Sequence, residues 1–224
     1  MGLALKMSLD FHQAGRMLAK VLDLDDEYVE DADRQWKLIK KILKAAPDSR
    51  AGKEIAVVDN VTRAEVAALL IEELKLDEIY KGLGVKRPVP SDIEKEPKDI
   101  VTHSYRHDIE QALIIGVRGL ERYPDGEFHP DDVVTKVIMA AVIEDILVKI
   151  TGDTDLATKY EGIPSPYPYL RNDLPYYNAM MMVISMDVMD AEVFTSSKLS
   201  PFMPLSGADA LVTIKNLKDV LISL

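Results

Sequence analysis

Cysteine is absent from this 224-residue chain, and disulfides, thiol nucleophiles and thiolate metal sites are absent with it. There is only one tryptophan, beside four phenylalanines and nine tyrosines. No run of 18 apolar residues appears, so no membrane-spanning helix is expected. The opening Met1-Gly2-Leu3-Ala4-Leu5-Lys6 has too short an apolar run, and too early a charge, to serve as a secretory signal. That leaves a cytosolic protein, or a segment of an exported one without its signal. Basic residues are in deficit, 27 against 38 acidic, for a net charge of -11. Nucleic acid and anionic membrane surfaces are therefore disfavoured as partners, since phosphate contacts need Lys and Arg. A neutral or weakly charged ligand, such as a sugar, stays open. Neither a glycine-rich phosphate loop nor a nucleophile elbow is present.

What is present is enough apolar content, 47%, for real cores, arranged at helical spacing. Ser8 to Leu22 carries Leu9, Phe11, Met17, Leu18, Val21 and Leu22 on one stripe. Asp33 is a plausible N-cap for a helix with Trp36, Leu38, Ile39, Ile42 and Leu43 on its apolar side, which Ala46-Pro47-Asp48 ends. Ile55-Ala56-Val57-Val58 reads as a short β-prone run. Thr62, with Glu65 three residues on, forms a capping box that starts the next helix. Gly82, Gly84, Pro88 and Pro90 mark a linker. A helix from Tyr105 to Ile115, a Tyr123–Pro130 loop and a helix from Val134 to Lys149 follow. The third round is a Met-rich helix starting at Asp173 or Leu174, a loop from Ala191 to Leu205, and a last helix over Ser206 to Leu224.

The rounds keep a register. Thr62, Thr135 and Ser206 start the second helices and are 73 and 71 residues apart; Trp36, Tyr105 and Tyr176 lie near the first-helix starts, 69 and 71 apart. Two markers with one period near 70 predict a repeat. Each unit is too small to bury its apolar faces alone, so the expected architecture is all-α, with three tandem helix-loop-helix repeats around a pseudo-three-fold helical bundle. The segments are an N-terminal helix over 1–23 that completes the bundle, then units over 24–84, 92–160 and 165–224. The N-terminal helix is expected to pack on the last one, around Leu211 to Leu224.

These motifs resemble the S-layer homology family. Tyr123-Pro124-Asp125-Gly126-Glu127-Phe128-His129-Pro130 resembles its GYPDGTFRP loop, and Val61-Thr62-Arg63-Ala64-Glu65 its ITRAE helix start. His103-Ser104-Tyr105 stands where the family has a His-Trp pair, and Trp36 takes the Trp place of the first repeat. Order and spacing agree over about residues 24 to 224. The first unit has Ala51-Gly52-Lys53-Glu54 in place of the loop; the second reads Thr135-Lys136-Val137-Ile138; the third has Ser206-Gly207-Ala208-Asp209 and lacks the Arg. The resemblance implies a non-catalytic module on the extracellular or periplasmic face of the cell envelope, its signal removed. It would bind a secondary wall polysaccharide or a peptidoglycan-linked glycan in grooves between units, with surface-layer or envelope proteins as possible partners. The alternative is a degenerate scaffold for protein–protein contacts that holds no glycan.

The candidate ligand-binding residues are Trp36, Thr62, Arg63, Glu65, Tyr105, Asp125, Gly126, Thr135 and Lys136. Arg63 offers a planar five-donor fork suited to a carboxylate; its plainer role is an exposed first-turn residue or an ion pair. Trp36 and Tyr105 offer flat faces for a sugar ring, or core packing. Lys136 keeps the charge without the fork. Asp125 and Gly126 serve either as a turn or as ligand contacts. Thr62, Thr135 and the helix N-terminal amides would face a bound anion. His103 and His107, four apart, have the spacing of metal ligands, but no HExxH glutamate lies between them, so no metal or other cofactor is expected.

Overall fold

The computed structural model describes residues 2–22, 29–84, 97–195 and 200–223. Among them there is no strand, and the chain is all-α. Helix α1 (Gly2–Met7) is separated from α2 (Phe11–Leu22) by a turn in which Leu9 takes φ 62°. The continuous helix expected from Ser8 therefore starts three residues later, where the Asp10 carboxylate accepts from Gln13 N at 3.0 Å. Helix α3 runs Val29–Ala45 and passes straight through Asp33, which is not its cap. Ala46, at φ 49°, turns the chain into α4 (Arg50–Ile55). The β-prone run Ile55–Val58 thus forms no strand: Ile55 is the buried end of α4 and Ala56 and Val57 turn after it, so packing overrides a propensity worth at most about 1 kcal/mol.

Helix α5 (Arg63–Ala68) starts at the predicted capping box: Thr62 Oγ1 accepts from Glu65 N at 3.3 Å, and Glu65 Oε2 from Thr62 N at 2.8 Å. It continues as one π-turn over Leu69–Glu73 before α6 (Leu76–Gly82). Then come a 3₁₀ turn (Lys98–Ile100), α7 (Arg106–Ile115) and α8 (Lys136–Thr151), capped by Thr135. A 3₁₀ turn at Thr154–Thr158, α9 (Tyr177–Ser185), a second at Ala191–Phe194 and α10 (Gly207–Ser223) complete the chain. The Met-rich helix starts at Tyr177, a few residues after Asp173 and Leu174, and Met180, Met181 and Met182 are all core. Pro88, Pro90 and the loop residues 196–199 lie outside the described residues.

Three pairings organise the bundle: α5 lies on α7, α8 on α9, and α10 on α3. At the centre, the residues just before the three capped helices bond to one another in a closed circuit. Val134 N donates to Val61 O at 2.8 Å, Leu205 N to Val134 O at 2.9 Å, and Val61 N to Leu205 O at 2.8 Å. One apolar core extends from Phe11 to Leu217 around this circuit. Helix α2 packs on α3 and α1, with Phe11, Ala14 and Leu18 buried. The expected docking of α2 on α10 is thereby corrected: α3 takes both helices. No described helix is long and apolar enough to cross a membrane.

Candidate functional site

Arg63, Lys136 and Gly207 open α5, α8 and α10, each with its backbone N–H bonded to a carbonyl distant in the chain, and the three positions are filled differently. At Arg63 the backbone is tied down first, with Arg63 N donating to Asp132 O at 2.9 Å and Ala64 N to Pro130 O at 3.0 Å. The guanidinium then turns inward. Nε donates to Phe128 O at 3.0 Å, Nη1 to Gly119 O and Nη2 to Glu121 O, both at 2.6 Å. It lies 4.8 Å from the Tyr123 ring centre and 4.7 Å from that of Phe128, a cation between two π faces. Arg63 is only 6% exposed. Burial pulls its pKa below the ordinary value, partly offset by Tyr123, Asp132 and neighbouring acids. The expected exposed first-turn arginine is corrected: three carbonyls already occupy the fork meant for a ligand carboxylate.

The loop around this guanidinium is a tight turn. Gly126 sits at φ +87° with its N–H donating to Tyr123 O at 2.9 Å, so it is needed for its backbone angle. Asp125 accepts from Glu127 N at 2.9 Å and pairs with His129 Nε2 at 2.7 Å. Asp99, which sequence reasoning missed, accepts from Phe128 N at 3.1 Å and His129 N at 2.6 Å. Its only signal in the sequence is its place just ahead of His103. Tyr105, half-buried, stands among acids: burial first, then Glu54, Glu65, Glu72 and Asp108, push its phenol to about 12. A ligand carboxylate would be repelled there. His103 Nδ1 accepts from Tyr105 N at 3.1 Å, and no group of three or more His, Asp or Glu among the described residues could hold a metal ion.

At Lys136 the backbone repeats the first pattern, with Lys136 N on Met203 O at 3.3 Å and Val137 N on Pro201 O at 3.2 Å; Thr135 Oγ1 accepts from Ile138 N at 3.4 Å. The side chain differs. Its ammonium has no hydrogen-bond partner among the described residues, and it lines a groove of about 780 Å³. Helix α3 contributes Lys40, Lys41 and Lys44, and α10 contributes Asp209, Val212, Thr213 and Asn216. The turn after α9 adds Asp187, Asp190 and Glu192. Lys41 Nζ bonds Asp209 Oδ1 at 2.6 Å. Burial raises the Asp209 pKa, but hydrogen bonds from Lys41 and Ser206 and the charges of Lys41 and Lys136 outweigh it, so the net shift is downward.

At the third position Gly207 N donates to Val58 O at 2.9 Å, and a Cβ there would overlap the carbonyl oxygen of Ile55. No side chain fits, which explains why neither Arg nor Lys stands here. Trp36 is half-buried, and one face of its ring is covered by Lys40 Nζ at 4.2 Å. It stands one helical turn before that groove lysine. Among the predicted site residues, Thr62, Arg63, Glu65, Asp125 and Gly126 therefore meet at the closed first junction, Thr135 and Lys136 at the open one, and Tyr105 in acidic surroundings of its own. Sequence reasoning missed Lys40, Lys41 and Lys44 because lysines on a helix read as a solvated face. As a whole sequence, the chain matches no family model, and no curated protein is significantly similar to it.

Proposed function

We propose that this is a non-catalytic envelope-anchoring module of the S-layer homology type. It would act on the extracellular or periplasmic face of the cell, binding a wall polysaccharide or peptidoglycan-linked glycan. The closed circuit of Val61, Val134 and Leu205, with the cyclic pairing of α5 on α7, α8 on α9 and α10 on α3, supports three repeated units around a pseudo-three-fold axis. The observation that carries the function is the groove beside Lys136. It brings the free ammonium groups of Lys44 and Lys136 together with the apolar side chains of Val188, Leu205 and Val212 and the half-buried Tyr167 ring. Such a mixture suits a charged sugar polymer. Arg63 then acts as the clamp that holds the loop, and Lys136 as the ligand contact.

The protein–protein scaffold is the second reading, and one observation favours it. The arginine fork is already satisfied internally, while Phe202, at 58% exposure, and Met203 present apolar surface beside the Lys136 junction. Co-sedimentation with purified wall sacculi, intact or stripped of secondary polymer, separates the two. Anchoring predicts that the wild-type chain pellets with intact sacculi and that Lys44→Ala/Lys136→Ala weakens this about ten-fold or more. No pelleting, or pelleting indifferent to both lysines, leaves the scaffold as the better account.

A further inference from the structure

The Lys136 groove has walls of opposite sign. One wall is α3, with Lys40, Lys41 and Lys44, joined by Lys136; the other is the turn over 187–192, with Asp187, Asp190 and Glu192. Helix α10 is bonded to both. Asp209 accepts from Lys41 at 2.6 Å, and Asn216 Nδ2 donates to the carbonyls of Asp187 and Val188 at 3.2 and 3.3 Å. The walls do not pair with each other: every ion pair that a groove lysine makes among the described residues goes to the α10 floor. Lys44 and Lys136 on one side, and the carboxylates of Asp187 and Glu192 on the other, have no side-chain partner there.

We infer that the ligand end group held in this groove is zwitterionic, a carboxylate and a primary ammonium carried by one residue. The free end of a diamino acid in the peptide arm of a wall glycan has this chemistry. A purely anionic sugar would satisfy the lysines but bring its charge against Asp187 and Glu192, where like charges repel. A purely cationic one would meet the converse. An end group with both signs answers each wall with a charge-assisted contact, and the whole groove is then neutralised without long-range screening. The lysines also fit this better than an arginine would, because an ammonium is a point charge that places no planar demand on its partner. The groove is formally balanced, four lysines against four carboxylates, in a chain whose overall charge is -11.

This inference rests on the wall-binding function proposed above, and its test is chosen to fail separately. Calorimetric titration compares three soluble probes: a muramyl tripeptide ending in diaminopimelate, the same tripeptide N-acetylated on its free amine, and a pyruvylated disaccharide that carries only negative charge. The tripeptide should bind tightest, and acetylation should weaken it about ten-fold, the worth of one charge-assisted contact. Asp187→Asn/Glu192→Gln, both exposed and so compatible with folding, should abolish the difference between the free and acetylated tripeptides. A melting curve matching wild type verifies the fold of that variant. Equal binding of free and acetylated tripeptide, or tighter binding of the pyruvylated disaccharide, overturns the zwitterionic ligand while wall anchoring stands. Sacculi that pellet the protein while none of the three probes binds overturn it as well. Sacculi that do not pellet the protein overturn both.

Discussion

Arg63 and Lys136 each open a helix behind a threonine cap, make the same two backbone bonds to a loop further along the chain, and end in opposite situations. Arg63 reaches three carbonyls and two aromatic faces, and its junction is closed. Lys136 reaches none, and beside it lies a groove of about 780 Å³. A guanidinium has five donors in a fixed fork and can satisfy three carbonyls at once, whereas an ammonium cannot span them. One substitution of side-chain type therefore goes with the difference between a clamp and a cavity. The cationic residue that most resembles a ligand contact by sequence is spent on the fold, and its plainer counterpart is the one left available.

The sharpest way to break that contrast is Arg63→Ala. It removes three charge-assisted bonds and leaves buried carbonyls without donors, an expected loss of about 3–5 kcal/mol. For a chain of this size the melting temperature should fall by roughly 10 °C. A melting temperature within a degree of wild type would show that the clamp holds nothing. Gly207→Ala comes next, because the new Cβ overlaps the Ile55 carbonyl oxygen and the backbone must move. Overpacking of this kind costs about 1–3 kcal/mol, read by urea denaturation. Lys136→Ala should change stability by less than about 0.5 kcal/mol, since its ammonium has no hydrogen-bond partner to lose. A large loss would mean that Lys136 is also structural and would erase the comparison.

The smallest effect is in acid, where the two sides should respond in opposite senses. Asp108 is buried on α7, which packs on α5, and burial followed by the charge of Glu72 raises its pKa, against His107 and Lys75. A raised carboxyl favours the protonated form in the fold, so its contribution is full below about pH 4 and is lost as pH rises through the raised value. Asp209 is shifted down, so its contribution is present above about pH 4 and is lost as pH falls through the lowered value. Asp209→Asn should therefore destabilise at neutral pH with a gap that closes in acid. Asp108→Asn should stabilise slightly at neutral pH, and that gain should vanish below about pH 4. Denaturation midpoints followed from pH 7 down through the acid range below about pH 4 would settle both, and parallel behaviour of the two variants would contradict the assignment.

How far these features could be read in the sequence depended on distance along the chain. The capping box at Thr62 and Glu65 was legible because both its bonds close within three residues. The partners of Arg63 are carbonyls 56, 58 and 65 residues away, and a backbone carbonyl leaves no mark in sequence. Asp99 was missed for the same reason, since what it binds is two amide groups of a loop. Ile55–Val58 read as strand because Ile55, Val57 and Val58 are β-branched; burial of Ile55 and Ala56 at the end of α4 decided otherwise. The groove was illegible as a site because its two walls come from α3 and from the turn after α9, about 150 residues apart in the chain, and each alone is an ordinary charged surface.

The central circuit of Val61, Val134 and Leu205 also has a consequence in time. The chain is synthesised from its N-terminus, so the Val61 carbonyl can meet the Val134 amide as soon as the segment around Val134 exists. The Val61 amide cannot be satisfied until Leu205, 144 residues later, has emerged. Contacts this far apart close late and slow the final step. Helix α3, which waits for α10, spends the same interval with one flank uncovered. The groove that carries the proposed function spans this same seam, with α3 on one side and α10 as its floor. It is therefore assembled only once α10 has emerged and reached α3.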